Sequence, residues 1–256
     1  LLILVAGAAM LSACSDAGTD RFTQFVDTKI GTGGHGHVFV GANVPFGMVQ
    51  LGPTSIPEEW DWTSGYHESD STVIGFSHTH LSGTGIGDLF DITVMPVTGD
   101  VTYARGTEDD LQSGLWSYAD RTKEISRPGY YSVPLLRYDI TAELTATARV
   151  GFHRYTFPQA DDAAIVFDLE NGGCWDEPVK TEMTAVGNNS IEGYRWSKGW
   201  AGDQRVYFVA EFSKPFGSFT LHGKDDMYGR ASFSTEKDEA VLLKVALSPV
   251  SIEGAR

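Results

Sequence analysis

The chain has 256 residues, a length that fits one or two domains, and 41% of them are hydrophobic, which allows a sizeable core. Its 34 acidic and 19 basic residues leave a formal net charge of −15. That balance argues against a nucleic-acid partner held by clustered Lys and Arg, is compatible with a neutral or cationic ligand, and, with the acidic residues scattered, also reads as an ordinary solvated surface.

The chain opens on a short leader. Leu1 to Met10 are apolar or small, and Leu11-Ser12-Ala13-Cys14 follows. The run is shorter than the ~20 apolar residues needed to span a bilayer and has the character of a signal-peptide h-region. Small residues ahead of Cys14 and polar Ser15-Asp16-Ala17-Gly18 behind it resemble the cleavage box of bacterial lipoproteins, where the cysteine becomes the acylated first residue. Residues 1–13 are thus expected to be a signal peptide, truncated at its start since the charged n-region and initiator Met are missing. Cys14 is the expected lipidation site, residues 14–21 a tether, and residues 22–256 one domain, periplasmic or at the cell surface and attached to the membrane by lipid. The alternative is an ordinary secretory signal with a chance cysteine. A lipidated Cys14 leaves Cys174 unpaired, so no disulfide framework is expected.

Between Gly31 and Asp91 the chain concentrates glycine, histidine and tryptophan. Two His-x-His pairs, His35-x-His37 and His78-x-His80, occur there, together with Trp60 and Trp62. Glycine lets backbone approach another group closely, tryptophan offers an apolar face and histidine a polar edge; gathered in loops they read as a ligand surface. Gly31-x-Gly33-x-x-Gly36 has the bare spacing of a dinucleotide fingerprint, but the extended Val38 to Pro45 follows where a helix should open. On a strand, residues i and i+2 share a face, so each His-x-His pair can chelate one metal, with Asp88 or Asp91 adding a carboxylate. The alternative is histidines bonded to backbone carbonyls or ligand hydroxyls.

Trp60 and Trp62 flank Asp61 in a loop-like stretch. Trp60, nearer the turn-rich Pro57-Glu58-Glu59, is the expected exposed platform for the apolar face of a sugar; the alternative is that both are core residues. A glycosidase needs two carboxylates flanking the bond. Glu58, Glu59, Asp61, Asp88 and Asp91 are candidates, none in a context that marks an acid or a base. Asp88, between Gly87 and Leu89-Phe90, is either a carboxyl shifted by burial or a structural turn residue. Ser77 and Ser82 lack the Gly-x-Ser-x-Gly elbow of serine hydrolases.

Strands are expected over 46–51, 72–77, 90–97, 130–140, 141–150, 152–157, 163–169, 190–196, 205–212, 216–221, 230–234 and 240–252. Gly114 to Arg127 is expected to be helical or irregular, ended by Pro128-Gly129, and 187–190 and 223–226 to be hairpin turns. Many short strands rich in Val, Thr, Tyr and Phe imply an all-β fold, an antiparallel β-sandwich.

Longer motifs carry a resemblance. Ile30-Gly-Thr-Gly-Gly-His-Gly-His37, Val44-Pro-Phe-Gly-Met-Val-Gln-Leu51, Ser64-Gly-Tyr-His67 and Gly75-Phe-Ser-His-Thr-His-Leu-Ser-Gly-Thr-Gly-Ile-Gly-Asp88 are joined by Arg127-Pro-Gly-Tyr-Tyr-Ser-Val133 and Gly151-Phe-His-Arg-Tyr-Thr-Phe-Pro158. With Glu143 to Thr147, Val206 to Ser213 and Val250 to Arg256, they resemble the N-terminal domain of the glycoside hydrolase family 92 α-mannosidases over nearly everything after residue 25. The resemblance implies a two-domain enzyme, a β-sandwich packed on an (α/α)6 barrel, that is exo-acting, calcium-dependent and inverting and releases mannose from α-mannosides such as N-glycans. It places the general acid, the general base and the calcium ligands in the barrel, which is expected to be absent from this chain; the fragment alone is then expected to be inactive, with no catalytic or metal residue of its own. By motif position, Gly36 and Trp60 are expected to contact the terminal mannose. His35, His37, His78, His80 and Asp88 match motif positions too and join them as candidate substrate-binding residues. Two stretches depart from the pattern: Val40-Gly41-Ala42-Asn43, where the family often has Pro-Gly-Ala-Thr or Ser, and Asn171 to Glu177. The alternatives are a stand-alone carbohydrate-binding module and a histidine-rich metal hydrolase.

Overall fold

A computed structural model describes residues 22–256. The expected signal peptide, Cys14 and the tether lie outside the described residues. In chain order the strands are β1 (Ala42–Asn43), β2 (Gln50–Thr54), β3 (Thr72–Val73), β4 (Gly75–Ser77), β5 (Thr93–Thr98), β6 (Ser117–Tyr118), β7 (Ile125–Arg127), β8 (Tyr130–Leu135), β9 (Ile140–Ala146), β10 (Val150–Phe157), β11 (Ala160–Asp168), β12 (Glu177–Val186), β13 (Ser190–Lys198), β14 (Gln204–Phe212), β15 (Ser218–His222), β16 (Tyr228–Thr235) and β17 (Glu239–Ser248). One helical turn, α1 (Ile252–Ala255), follows. A seven-stranded sheet runs β1-β2-β4-β5-β11-β16-β15, an eight-stranded sheet runs β12-β13-β14-β17-β10-β9-β8-β7, and β3 pairs with β6. The pairings are antiparallel, and the expected all-β sandwich is the fold observed.

Alternation sets which face of each strand turns inward. Val241, Leu243, Val245 and Leu247 of β17 and Val206, Phe208, Ala210 and Phe212 of β14 are buried, while the residues between them face outward. β11 reads instead as an unbroken buried run from Ala163 to Asp168, as a strand covered on both faces should. Phe167 of β11 stacks on Phe208 of β14, ring centroids 5.8 Å apart, which joins the two sheets through one apolar cluster.

Among the expectations that shift, four are physically informative. The strand expected at 46–51 starts only at Gln50, because Pro45-Phe46-Gly47 forms a turn in which the exposed Phe46 takes φ 60°. The strand expected at 90–97 starts at Thr93, since Leu89, Phe90 and Ile92 have φ of 75°, 65° and 52°. Gly114 to Arg127 holds β6, β7 and a turn at Asp120 rather than a helix. β12 has no counterpart among the expected strands. It is an edge strand, mostly solvent-exposed, so its sequence lacks a buried stripe.

Polar contacts also cross the interior. His78, just past β4, meets His153 of β10 with their Nε2 atoms 2.9 Å apart. His78 Nδ1 lies 2.6 Å from the Ile92 carbonyl oxygen, and His153 Nδ1 lies 2.7 Å from the Tyr155 hydroxyl. For neutral rings a single proton arrangement satisfies every contact. His78 donates from Nδ1 to the carbonyl and accepts at Nε2 from His153, whose Nδ1 accepts from Tyr155. Gly151 makes room for this: a Cβ there would come within 2.7 Å of the His78 ring. Burial holds His78 and His80 down at about 4, and drives His153, which also faces His78, well below the usual histidine range.

The unfolded chain protonates these rings near ~6.5. Each depressed pKa therefore costs nothing above that value and removes stability as the pH falls from it toward 4. Urea unfolding between pH 6.5 and 5 is expected to take up a proton for each of His78, His80 and His153 as the chain opens, about 1.4 kcal/mol per pH unit for each ring at full effect. Replacing His80 by Gln should reduce that slope.

Candidate functional site

Three segments meet around Trp60: the loop from Gly31 to Val40, the 3-10 turn Trp60–Ser64, and a strap from Ser82 to Ile92. The His37 carbonyl accepts from the Gly83 N–H at 2.7 Å, and the Gly85 carbonyl accepts from the Trp60 indole N–H at 3.0 Å. The first loop is closed on itself, with the Val38 N–H on the Gly31 carbonyl at 3.1 Å. Gly36 is needed for that closure, because a Cβ there would sit 2.0 Å from the Gly31 oxygen. The backbone that Gly36 lets approach is its own loop's.

The two tryptophans separate as expected from their neighbours. Trp60 is 54% exposed. Trp62 is buried, stacked on His67 at 4.4 Å between centroids, and donates its indole N–H to Asp70 at 2.8 Å. Asp61 lies between them and draws two imidazoles together. Its Oδ1 is 2.7 Å from His35 Nδ1 and 3.1 Å from His37 Nε2. The His35 hydrogen bond, with that from His37, holds the Asp61 carboxyl below its usual value. His35 is open to solvent, whereas His37 is buried with its ring edge-on to Trp60 at 4.2 Å. Gly36, His35, His37 and Trp60 therefore do come together, with Asp61 as the group that joins them.

His78, His80 and Asp88 do not reach this surface; the structure encloses all three. His78 spends both ring nitrogens inside the sandwich. His80 Nδ1 bonds the Gln50 carbonyl at 2.7 Å and its Nε2 lies 3.2 Å from the Thr54 hydroxyl. Asp88 Oδ2 accepts from the Ala201 N–H at 3.2 Å. The His-x-His pairs bind carbonyls, hydroxyls and a carboxylate, and among the described residues no group of three or more His, Cys, Asp or Glu is arranged to hold a metal ion.

The strap is held from beneath by Arg195 of β13, which is wholly buried. Its Nη1 donates to Asp91 at 2.9 Å, its Nε to the Leu169 carbonyl at 3.0 Å, and its Nη2 to Asp176. Asp91 also accepts from Thr79 and Gln204, both at 2.8 Å, and Asp176 from Ser197 at 2.8 Å. Burial still pushes the Asp176 carboxyl above its usual value, against the pull of Arg195. Asn171 to Glu177, which matched no motif, thus supplies a counter-ion. It also pins the strap, through the Trp175 N–H on the Gly87 carbonyl at 2.8 Å and the Gly173 N–H on the Leu89 carbonyl at 3.0 Å. Sequence reasoning missed this cluster. Asp91 and Asp176 are 104 and 19 residues from Arg195, and no local pattern links them.

Fold and site together define a two-sheet antiparallel β-sandwich with a glycine-rich, aromatic surface at its loops. The chain belongs to the family described by the glycosyl hydrolase family 92 N-terminal domain, whose model matches residues 25–248. It is similar to the family GH92 α-mannosidase BT3965 of Bacteroides thetaiotaomicron, solved in complex with mannoimidazole. The two are 35% identical with a TM-score of 0.86, over 93% of this chain and 34% of that one. The GH92 family glycosyl hydrolase ccman5 is 27% identical with a TM-score of 0.76, over 92% of this chain and 33% of its own. An uncharacterized secreted glycosidase of Arthroderma benhamiae is 31% identical over 140 residues, 53% of this chain and 17% of that protein. The chain thus spans about a third of the solved relatives' length and about a sixth of the curated one's.

Removing Arg195 leaves two buried carboxylates without their cation. Arg195→Met is expected to lower the unfolding free energy by roughly 3–5 kcal/mol, the usual cost of breaking a buried pair from one side. Denaturant unfolding at pH 7 measures it.

Proposed function

We propose that the full-length protein is an exo-acting α-mannosidase and that this domain forms one wall of the pocket for the terminal mannose. The observation that carries the reading is Trp60: an indole more than half exposed, yet held by an N–H bond to the Gly85 carbonyl and by the edge of His37. A rigid aromatic face offers stacking to the apolar side of a pyranose at little entropic cost. Both imidazole contacts to Asp61 use Oδ1, which leaves Oδ2 to accept from a sugar hydroxyl, and the exposed His35 ring is placed to add a second polar contact. The family and the mannosidase named among the solved relatives support the substrate class.

The general acid and base of the inverting reaction are assigned to a second domain of the (α/α)6 type, and N-glycans to the range of substrates. Calcium is assigned there as well; among the described residues of this domain no group of three or more His, Cys, Asp or Glu is arranged to hold a metal ion. Residues 22–256 alone are accordingly expected to hydrolyse no aryl α-mannoside. Export is supported by the relative described as secreted. The lipid anchor on Cys14 remains part of the proposal, and Cys14→Ser is expected to move the protein from the membrane to the soluble fraction.

The test pairs kinetics with unfolding in the full-length enzyme. Trp60→Ala should remove roughly 1–3 kcal/mol of binding, by analogy with base–aromatic stacking. That is about 5- to 150-fold in kcat/KM if the contact persists in the transition state. Its unfolding should change by less than about 1 kcal/mol, as is usual for surface positions. Trp62→Ala should do the reverse and lose roughly 3–5 kcal/mol of stability. A Trp60→Ala enzyme with unchanged kinetics would show that the indole faces no substrate.

A further inference from the structure

Tryptophan is a large apolar side chain that folding mostly hides, so an exposed indole on a fixed backbone is informative. Three of the six tryptophans are more than half exposed: Trp60 at 54%, Trp175 at 51% and Trp200 at 72%. The last two lie outside the surface already described, and the fold brings them toward each other. β12 and β13 pair at Glu177 and Lys198, the last rung at the open end of their hairpin. Trp175 and Trp200 stand two residues further out, one on each arm. Gly199 closes the gap between the arms. A Cβ there would sit 3.0 Å from the Trp175 carbonyl oxygen and would run into Asp88 Oδ1.

Both arms are fastened to the strap that positions Trp60. The Trp175 N–H donates to the Gly87 carbonyl at 2.8 Å, and the Ala201 N–H, next to Trp200, donates to Asp88 Oδ2 at 3.2 Å. Trp60 donates its indole N–H to the Gly85 carbonyl, at most three residues away along the same strap. Three residues of chain span at most ~11 Å, so all three tryptophans are anchored within the reach of one short oligosaccharide. Their rim is polar. Lys198 and Glu177 form an exposed ion pair at 3.4 Å, which offers both donors and acceptors to hydroxyl groups. Rigid aromatic faces give contact area at low entropic cost, and a pyranose has an apolar face to meet them.

We propose that Trp175 and Trp200 form a second sugar platform, which holds the units of an oligomannoside that lie beyond its terminal mannose, on the leaving-group side. This rests on the mannosidase reading above and deepens it. Trp60 takes the sugar that is released, and the pair at the open end of the β12–β13 hairpin takes the part that departs as the leaving group. No bond is made or broken at the platform. Trp175 stands in the stretch from Asn171 to Glu177 that departs from the family's motifs, so the platform sets the preference of this chain for the rest of the glycan and leaves recognition of the terminal mannose unchanged.

The test is steady-state kinetics of the full-length protein on two substrates that share the terminal mannose. α-Mannosyl fluoride has a leaving group without a ring. A linear mannotriose, in the linkage the wild type cleaves or binds best, places further sugars beyond the scissile bond. Trp175→Ala and Trp200→Ala are each expected to lower kcat/KM on the mannotriose by about 5- to 150-fold, the worth of one stacked ring by analogy with base–aromatic stacking, and to leave that on the fluoride within about twofold of wild type. Trp200→Phe keeps a ring and should recover most of the loss. Thermal unfolding shows that each variant is folded, and the two positions test the platform independently of each other. Equal loss on both substrates overturns the proposal. So does no loss on either, the result expected if another domain covers the indoles. A wild type that cleaves only the fluoride removes the platform alone. A wild type that cleaves neither removes the mannosidase reading, and calorimetric titration with the mannotriose then decides the platform separately: binding weakened in both alanine variants keeps it, and unchanged or absent binding removes it.

Discussion

The Arg195 guanidinium is the contact on which the loop architecture depends. It is enclosed between Asp91, which leads into the seven-stranded sheet, and Asp176, which leads into the eight-stranded one, and it also takes the Leu169 carbonyl. A planar fork with several fixed donors suits this better than an ammonium would, because carboxylates on two sides and a carbonyl must be met at once. Buried ion pairs add little net stability against an apolar replacement. Here the pair works as a specification: the strap from Ser82 to Ile92 and the segment from Asn171 to Glu177 have one arrangement in which neither carboxylate is left uncompensated.

That specification explains how a strained backbone persists. Leu89, Phe90 and Ile92 all have positive φ, which for a β-branched or bulky residue costs of order 1–3 kcal/mol each. Such strain survives where the surroundings over-determine it. Asp91 sits in the middle of the strained run and is held by Arg195, Thr79 and Gln204. The strap that ends in this run also carries the Gly85 carbonyl that receives the Trp60 indole N–H. Position is thereby passed from a buried ion cluster to an exposed aromatic face, through backbone that cannot relax independently.

The histidines show the same division between inside and outside. Two similar His-x-His spacings have unlike fates. His35 and His37 converge on Asp61 beside Trp60, while His78 and His80 turn into the sandwich and bond backbone carbonyls. Their difference lies in the element that carries them. The first pair is in a loop that folds back on itself at Gly36, and the second follows β4 directly into the gap between the sheets. A neutral imidazole has one donor and one acceptor, so it can cross-link two layers without a charge, provided each nitrogen finds the complementary partner. His78, His153 and Tyr155 meet that condition in order.

The sequence by itself determined the class of fold, because alternation at β10, β14 and β17 and the buried run of β11 are local properties of side-chain order. It also distinguished Trp60 from Trp62, since turn-forming neighbours mark exposure, and its long motifs carried the family. It did not reveal β12, which buries too little for a hydrophobic period to appear. Nor did it say which histidines and aspartates reach the Trp60 surface. His78, His80 and Asp88 stand in the same motif-rich stretch as His35 and Trp60, and their enclosure follows from contacts with residues up to 113 positions away. The Arg195 cluster was likewise settled only in three dimensions. Burial and ion pairing are relations between distant parts of the chain, and a spacing pattern records only what neighbours along it share.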